Sequence, residues 1–207
     1  MEILFQDESI LVVHKPAGLA SQQTNTGEAG VAGLIDKAYA PVNRLDQRVS
    51  GILLFAKQHI AALNEAFQTR EVVKKYRAVV ANKPTQDAQT LVHWLLKDAT
   101  HNKVKAFNKE VVHSKRAELD YRLIQSSERY HLLDITLYTG RFHQVRAQLA
   151  AIGSPIVGDV KYGYKRTTPD GSIFLQSYLL AFQHPATHEP LSFEIPMPEQ
   201  WQRYGFQ

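Results

Sequence analysis

Cysteine is absent from this sequence. Its absence excludes disulfides, thiol nucleophiles, zinc–thiolate sites and iron–sulfur clusters. No stretch approaches the roughly 18 consecutive apolar residues of a membrane-spanning helix. The opening residues Met1-Glu2-Ile3-Leu4-Phe5-Gln6-Asp7 carry neither a basic head nor a long apolar run, so no signal peptide is expected. Histidines stand at 93, 101 and 113, but HExxH and other metal-ligand spacings do not occur, and neither do a Walker loop, GxGxxG or GxSxG. These gaps lead to an expectation of a cytoplasmic enzyme or binding protein with no membrane partner.

The 207 residues suffice for one domain with a sizeable core. Apolar content of 44% and charged content of 21% fit a globular protein. The net charge of +4 is unevenly placed. From Arg70 to Arg129 there are 13 Lys/Arg against 7 Asp/Glu, and elsewhere 11 against 13. A basic block in mid-chain points to a phosphate-rich partner. The plainer reading is a solvated, lysine-rich surface.

Ile10-Leu11-Val12-Val13 reads as a buried strand closed by the turn Lys15-Pro16-Ala17-Gly18. A helix is expected from Glu28 to Tyr39, stopping at Pro41. Further strands are expected at Ile52–Ala56, Tyr76–Ala81, Thr90–Leu95, Ala117–Ile124, His131–Leu137 and Pro190–Ile195. Ile60, Leu63 and Phe67 recur at helical spacing. Phe142, Val145, Leu149 and Ile152 mark the apolar side of a second helix, ending at Gly153 and Pro155. Strands outnumber helices without alternating with them, which argues for an α+β fold with a largely antiparallel sheet.

Two segments carry the chemistry. Asn43-Arg44-Leu45-Asp46-Gln47-Arg48-Val49-Ser50-Gly51 puts one carboxylate between two arginines ahead of an apolar strand. Gly140-Arg141-Phe142-His143-Gln144-Val145-Arg146 opens a helix with basic residues. A loop carboxylate at a sheet end sits where catalytic groups often do, although a turn or cap role is the ordinary reading of an isolated Asp. Bases at a helix start oppose the macrodipole, so an anion, either a phosphate or Asp46, should offset them. His143 is a candidate base, with a rim or core histidine as its rival. In Lys74-Lys75-Tyr76-Arg77 a strand would point Tyr76 away from Lys75 and Arg77, and such a tyrosine either stacks on a nucleobase or packs in a core.

Together these segments resemble the pseudouridine synthases of the RluA type over nearly the whole chain. The likeness runs from the opening strands and Lys15-Pro16-Ala17-Gly18 through the Arg-Leu-Asp block and Lys75-Tyr76. It continues through the Gly-Arg-x-His-Gln-x-Arg segment to Ile152-Gly153-Ser154-Pro155-Ile156-Val157-Gly158-Asp159. The resemblance implies a single catalytic domain over residues 1–207, with two lobes around an RNA cleft, a central mixed, mainly antiparallel sheet and flanking helices. It implies isomerisation of a uridine in rRNA or tRNA without cofactor or metal, by a monomer. It further implies that Asp46 is the catalytic aspartate, that Tyr76 contacts the target base, and that Arg146 pairs with the aspartate. By the same resemblance Arg44 is expected to help open the site and hold RNA, with Arg48, Lys75, Arg141 and His143 expected as further RNA contacts. The sequence departs from the family in having Asn43 and Gln148 where histidine is usual. Starting at the catalytic strands, it is expected to lack the S4-type domain many relatives carry. An RNA-binding factor without chemistry, and a glycoside hydrolase with Asp46 as nucleophile, are the rivals; the second needs a partner carboxylate that no motif supplies.

Overall fold

The computed structural model describes residues 1–23, 27, 29–98 and 100–206. The chain divides into two compact units, Met1–Lys74 with Gln176–Pro196, and Lys75–Leu175 with Met197–Gln207.

The first unit is built on β1 (Glu2–Gln6), β2 (Ile10–Lys15), the two-residue β3 (Ala40–Pro41), β4 (Ser50–Ala56), and, from the far end of the chain, β10 (Leu175–Gln183) and β11 (Pro190–Glu194). The order is β1-β2-β4-β10, with β3 paired to β4 and β11 to β10. Every pairing is antiparallel except β4 with β10, which makes the sheet mixed. β2 and β4 are nearly continuous apolar runs because both of their faces are covered. Helix α2 (Ile60–Thr69) lays Leu63, with Ile60 and Phe67, against Ile10, Val12, Ile52, Leu54 and Phe182. Gly51 is required where β4 meets β10: its φ is +145°, and a Cβ there would lie 2.6 Å from Ser177.

The helix expected from Glu28 to Tyr39 is corrected. Glu28 lies outside the described residues, and α1 covers only Val31–Leu34. Beyond Ile35 the chain turns, because Asp36 accepts the N–H of Ala38 with its carboxylate and that of Tyr39 with its carbonyl. Tyr39 is thereby released to bury its ring and donate its hydroxyl to the Asp7 carbonyl.

The second unit is an antiparallel sheet of β5 (Val73–Val80), β9 (His131–Leu137), β8 (Lys115–Ser126), β6 (Ala88–Asp98) and β7 (Lys103–Phe107), in that order. Period-2 alternation divides its faces. Tyr76, Ile135, Tyr121, Leu119, Leu91 and Ala117 share one face, and Lys75, Arg77, Asp134, Thr136, Asp120 and Arg122 the other. Helix α3 (Gln144–Ala151) packs on the first face, with Ala147 against Leu95, Val104, Ala117 and Tyr162. The C-terminal 3₁₀ turns, Glu199–Tyr204, stack Trp201 on Phe174 at 5.3 Å between ring centroids and set Tyr204 edge-on to it at 4.6 Å. The α+β reading and the mixed, mainly antiparallel sheet both hold.

Candidate active site

Asp46 sits in a tight turn of the first unit just before β4, its carbonyl accepting the N–H of Val49 at 3.0 Å. Leu45 and Val49 are buried on either side and fix the turn to the core, while Asp46 is half-buried. The preceding residues are held through Asn43. Its side-chain carbonyl accepts the N–H of Leu54 at 2.8 Å, and its amide donates to the Ile52 carbonyl at 3.3 Å. Asn43 therefore ties this segment to β4 through a donor and an acceptor on one side chain. Arg44 and Arg48 are exposed on the same loop.

The cation next to Asp46 that sequence reasoning missed is Lys15. It ends β2, where the expected turn begins, and its side chain is fully buried. The ammonium donates to the carbonyls of Pro16, Leu19 and Gln47 at 2.9, 2.7 and 3.3 Å. Burial pulls its pKa down to about 8, and the nearby charge of Asp46 opposes that pull. At pH 7 it is still a cation. The signal in the sequence was a lysine at the end of an otherwise apolar strand.

This shift has a sign that unfolding can check. The unfolded chain holds the Lys15 proton to about 10.5 and the folded chain only to about 8. Between these values the unfolded state binds more protons, so stability rises with pH. The cost of the buried charge is fully present below 8 and relieved as pH climbs towards 10.5. From pH 7.5 to 9.5 this one group should add roughly 2 kcal/mol in urea unfolding of the wild type. Lys15→Met should lack that increment. Identical pH trends in the two proteins would show that Lys15 titrates as a solvated lysine.

Tyr76, Arg146, Lys75, Arg141 and His143 belong to the second unit. Tyr76 is half-buried on β5, on the face that α3 covers, opposite Ile135. Lys75 points to the other face, as the alternation predicted. There its ammonium lies 3.7 Å from Asp134, at the edge of an open groove of about 710 Å³ lined also by Thr90, Asp120 and Arg122. The groove carries charges of both signs.

The start of α3 differs from the expectation. His143 has φ +52° and cannot be helical, so the helix begins at Gln144. Gln144 locks the approach: its side-chain oxygen accepts from the Thr139 hydroxyl and the Arg141 N–H, and its amide donates to the Glu118 carbonyl. Arg141 is exposed and donates to the Arg116 carbonyl. The His143 ring stacks on Phe142 at 3.8 Å, and its Nδ1 shares a hydrogen bond with the Tyr162 hydroxyl at 3.0 Å. Among the described residues, a carboxylate, that of Asp159, meets one of these bases. The Nε and one terminal nitrogen of Arg146 donate to the two carboxylate oxygens of Asp159 at 2.7 and 2.8 Å. Both side chains are buried, and the Arg146 guanidinium also lies 5.0 Å from the centre of the Tyr162 ring.

Gln148, the second departure from the family pattern, is fully buried on α3. Its amide donates to the Leu91 carbonyl at 3.0 Å and approaches the Nδ1 of His93 at 3.1 Å. Burial lowers the pKa of His93, which is therefore neutral at pH 7 and able to accept at Nδ1. Gln148 thus works as a helix-to-sheet bond.

Residues 9–151 match the family described as RNA pseudouridylate synthase, and the match includes Asp46, Tyr76 and Arg146. The chain is 28% identical to the RNA pseudouridine synthase YlyB of Bacillus subtilis over 96% of its own length and 70% of that protein's. It is 30% identical to ribosomal large subunit pseudouridine synthase C of Rickettsia felis over 95% of its own length and 67% of that protein's. Among solved structures, human RNA pseudouridylate synthase domain containing 4 superposes with a TM-score of 0.78 at 22% identity, covering 97% of this chain and 90% of that one, which is a likeness of fold. Among the described residues, no helix is long and apolar enough to cross a membrane. By the family match, and by relatives aligned along nearly its full length, this chain belongs to the RNA pseudouridine synthases, a family of isomerases.

Proposed function

We propose that the protein converts a specific uridine in a structured rRNA or tRNA to pseudouridine, acting in the cytoplasm as a monomer and needing neither cofactor nor metal. The observation that carries this reading is the family match over residues 9–151, which includes the turn of Asp46. The reaction breaks the bond from N1 to C1′, turns the uracil and forms a bond from C5 to C1′. C5 gives up a proton and N1 takes one, so no atom and no electron is gained or lost. Asp46 is the carboxylate of that step, whether by attack at C1′ or by taking the 2′ hydrogen. Its loop supports the role: the backbone is fixed on both sides while the side chain stays half-exposed to a substrate. Arg44 and Arg48 stand on the same loop to meet phosphates.

A uridine inside a helix has to leave its stack, at a cost of a few kcal/mol. Tyr76 is the aromatic that offsets this, with Arg141 and His143 as further RNA contacts. Tyr76→Leu should lower the single-turnover rate roughly 10–100-fold, the equivalent of about 1–3 kcal/mol of lost stacking. Tyr76→Phe should lose far less. A normal rate in Tyr76→Leu would return this residue to the core.

The reading itself is tested with purified protein and unmodified transcripts of rRNA and tRNA, followed by nucleoside chromatography. Pseudouridine at one position, formed without added metal or cofactor, is expected. RNA binding without any pseudouridine would favour a binding factor that lacks chemistry.

A further inference from the structure

We propose that Ser21 is a positioning residue for Asp46, fastening the catalytic turn through its hydroxyl. The proposal rests on the role given to Asp46 above.

Residues on both sides of Asp46 are tied to the segment that follows β2. On one side, the buried Ser21 hydroxyl accepts the Leu45 N–H at 2.9 Å and donates to the Leu45 carbonyl at 2.8 Å. One side chain thus satisfies both backbone groups of the residue preceding the aspartate. On the other side, the Gln47 carbonyl accepts from the Gly18 N–H at 2.8 Å and from Lys15 at 3.3 Å, and the Gln47 amide donates to the Gly18 carbonyl at 3.0 Å. Gly18 reaches this geometry with φ +89°, a region that favours glycine. The supporting segment is itself held at its far end, where the N–H groups of Val31 and Ala32 donate to the carbonyls of Ala20 and Ser21.

Asp46 therefore lies between two clamped neighbours, and Ser21 clamps the one directly upstream. A serine suits this task because a hydroxyl donates and accepts at once. A displacement of about 1 Å in a reacting group costs on the order of 100-fold in rate. Ser21 touches neither RNA nor the reacting atoms in this scheme, so its loss should act on the chemical step and leave binding alone.

The experiment compares wild type, Ser21→Ala and Ser21→Thr with the full chain and a transcript the wild type modifies. Single-turnover rate at saturating RNA, RNA affinity, and hydrogen exchange at the Leu45 amide are measured. For Ser21→Ala the rate should fall about 10–100-fold, with RNA affinity within about threefold of wild type and faster exchange at Leu45, while β4 amides stay protected. Ser21→Thr, which keeps the hydroxyl, should restore both the rate and the protection. An unchanged rate in Ser21→Ala overturns the proposal, as does a rate loss matched by an equal loss of RNA affinity. Should the alanine variant not fold, Ser21→Thr decides: a normal rate with a freely exchanging Leu45 amide overturns the clamp, and a normal rate with protection supports it. Failure of the underlying reading looks different, because the wild type would then form no pseudouridine or Asp46→Asn would remain active.

Discussion

Asp46→Asn is expected to abolish turnover, by at least about 10⁴-fold, on the order of 5.5 kcal/mol of barrier. The substitution preserves shape. The turn is held by Leu45, Gln47 and Val49 through backbone groups, so an amide at position 46 leaves those bonds in place. What disappears is the charge and the lone pair that attack on C1′ or removal of the 2′ hydrogen would use. RNA affinity should stay within about threefold, because Arg44, Arg48 and the mid-chain bases are untouched. Nucleoside chromatography after single turnover, beside a filter-binding titration, checks both halves. A loss of binding equal to the loss of rate would make Asp46 an RNA-ordering residue.

Arg146→Met is expected to have the largest effect on stability. Methionine keeps much of the apolar stem but leaves the Asp159 carboxylate, which is 1% exposed, without the guanidinium that pairs both its oxygens. Breaking a buried pair on one side costs about 3–5 kcal/mol. The contact with the Tyr162 ring is lost as well, and that ring's hydroxyl holds both Val104 and His143. Adding Asp159→Asn should recover a good part of the loss, because the stranded charge is then gone. The rate should not recover with it, since the resemblance gives Arg146 a role in turnover of its own. Urea unfolding of the two single variants and the double variant checks this. Strictly additive losses would mean that the pair contributes little to the fold.

These two residues also show what the sequence made legible. The Asp46 turn was readable because two arginines and a following apolar run, Ile52–Ala56, are local features. The strand His131–Leu137 was readable to the residue because its Leu, Ile and Leu alternate with polar side chains. The bond from Arg146 to Asp159 was not readable. An arginine at the start of a helix announces that it needs an anion, but not which one. Asp159 lies 13 residues on, at the mouth of a 3₁₀ turn (Val160–Tyr162) that has no pattern of its own. Likewise Lys15 was read as part of a turn, and its burial depends on three carbonyls that only the folded loop brings together.

The misread segments have similar causes. Residues 28–39 have helical spacing, but Gly30, Gly33 and the Asp36 turn outweigh it, leaving four helical residues. β10 was missed because Gln176 and Ser177 interrupt its apolar run. Both are buried, where Gln176 donates to the Pro196 carbonyl and Ser177 packs on Gly51. β7, Lys-Val-Lys-Ala-Phe, hides as a charged loop because an edge strand can carry charged side chains, Lys105 exposed and Lys103 half-buried.

Pseudouridine mapping in total RNA tests the central claim most directly. The samples are a strain lacking the gene, the same strain carrying the wild-type chain, and the same strain carrying Asp46→Asn. The account predicts that one uridine in rRNA or tRNA is unmodified in the deletion, becomes pseudouridine with the wild type, and stays unmodified with Asp46→Asn. Identical pseudouridine maps in all three strains, or restoration by Asp46→Asn, would contradict it.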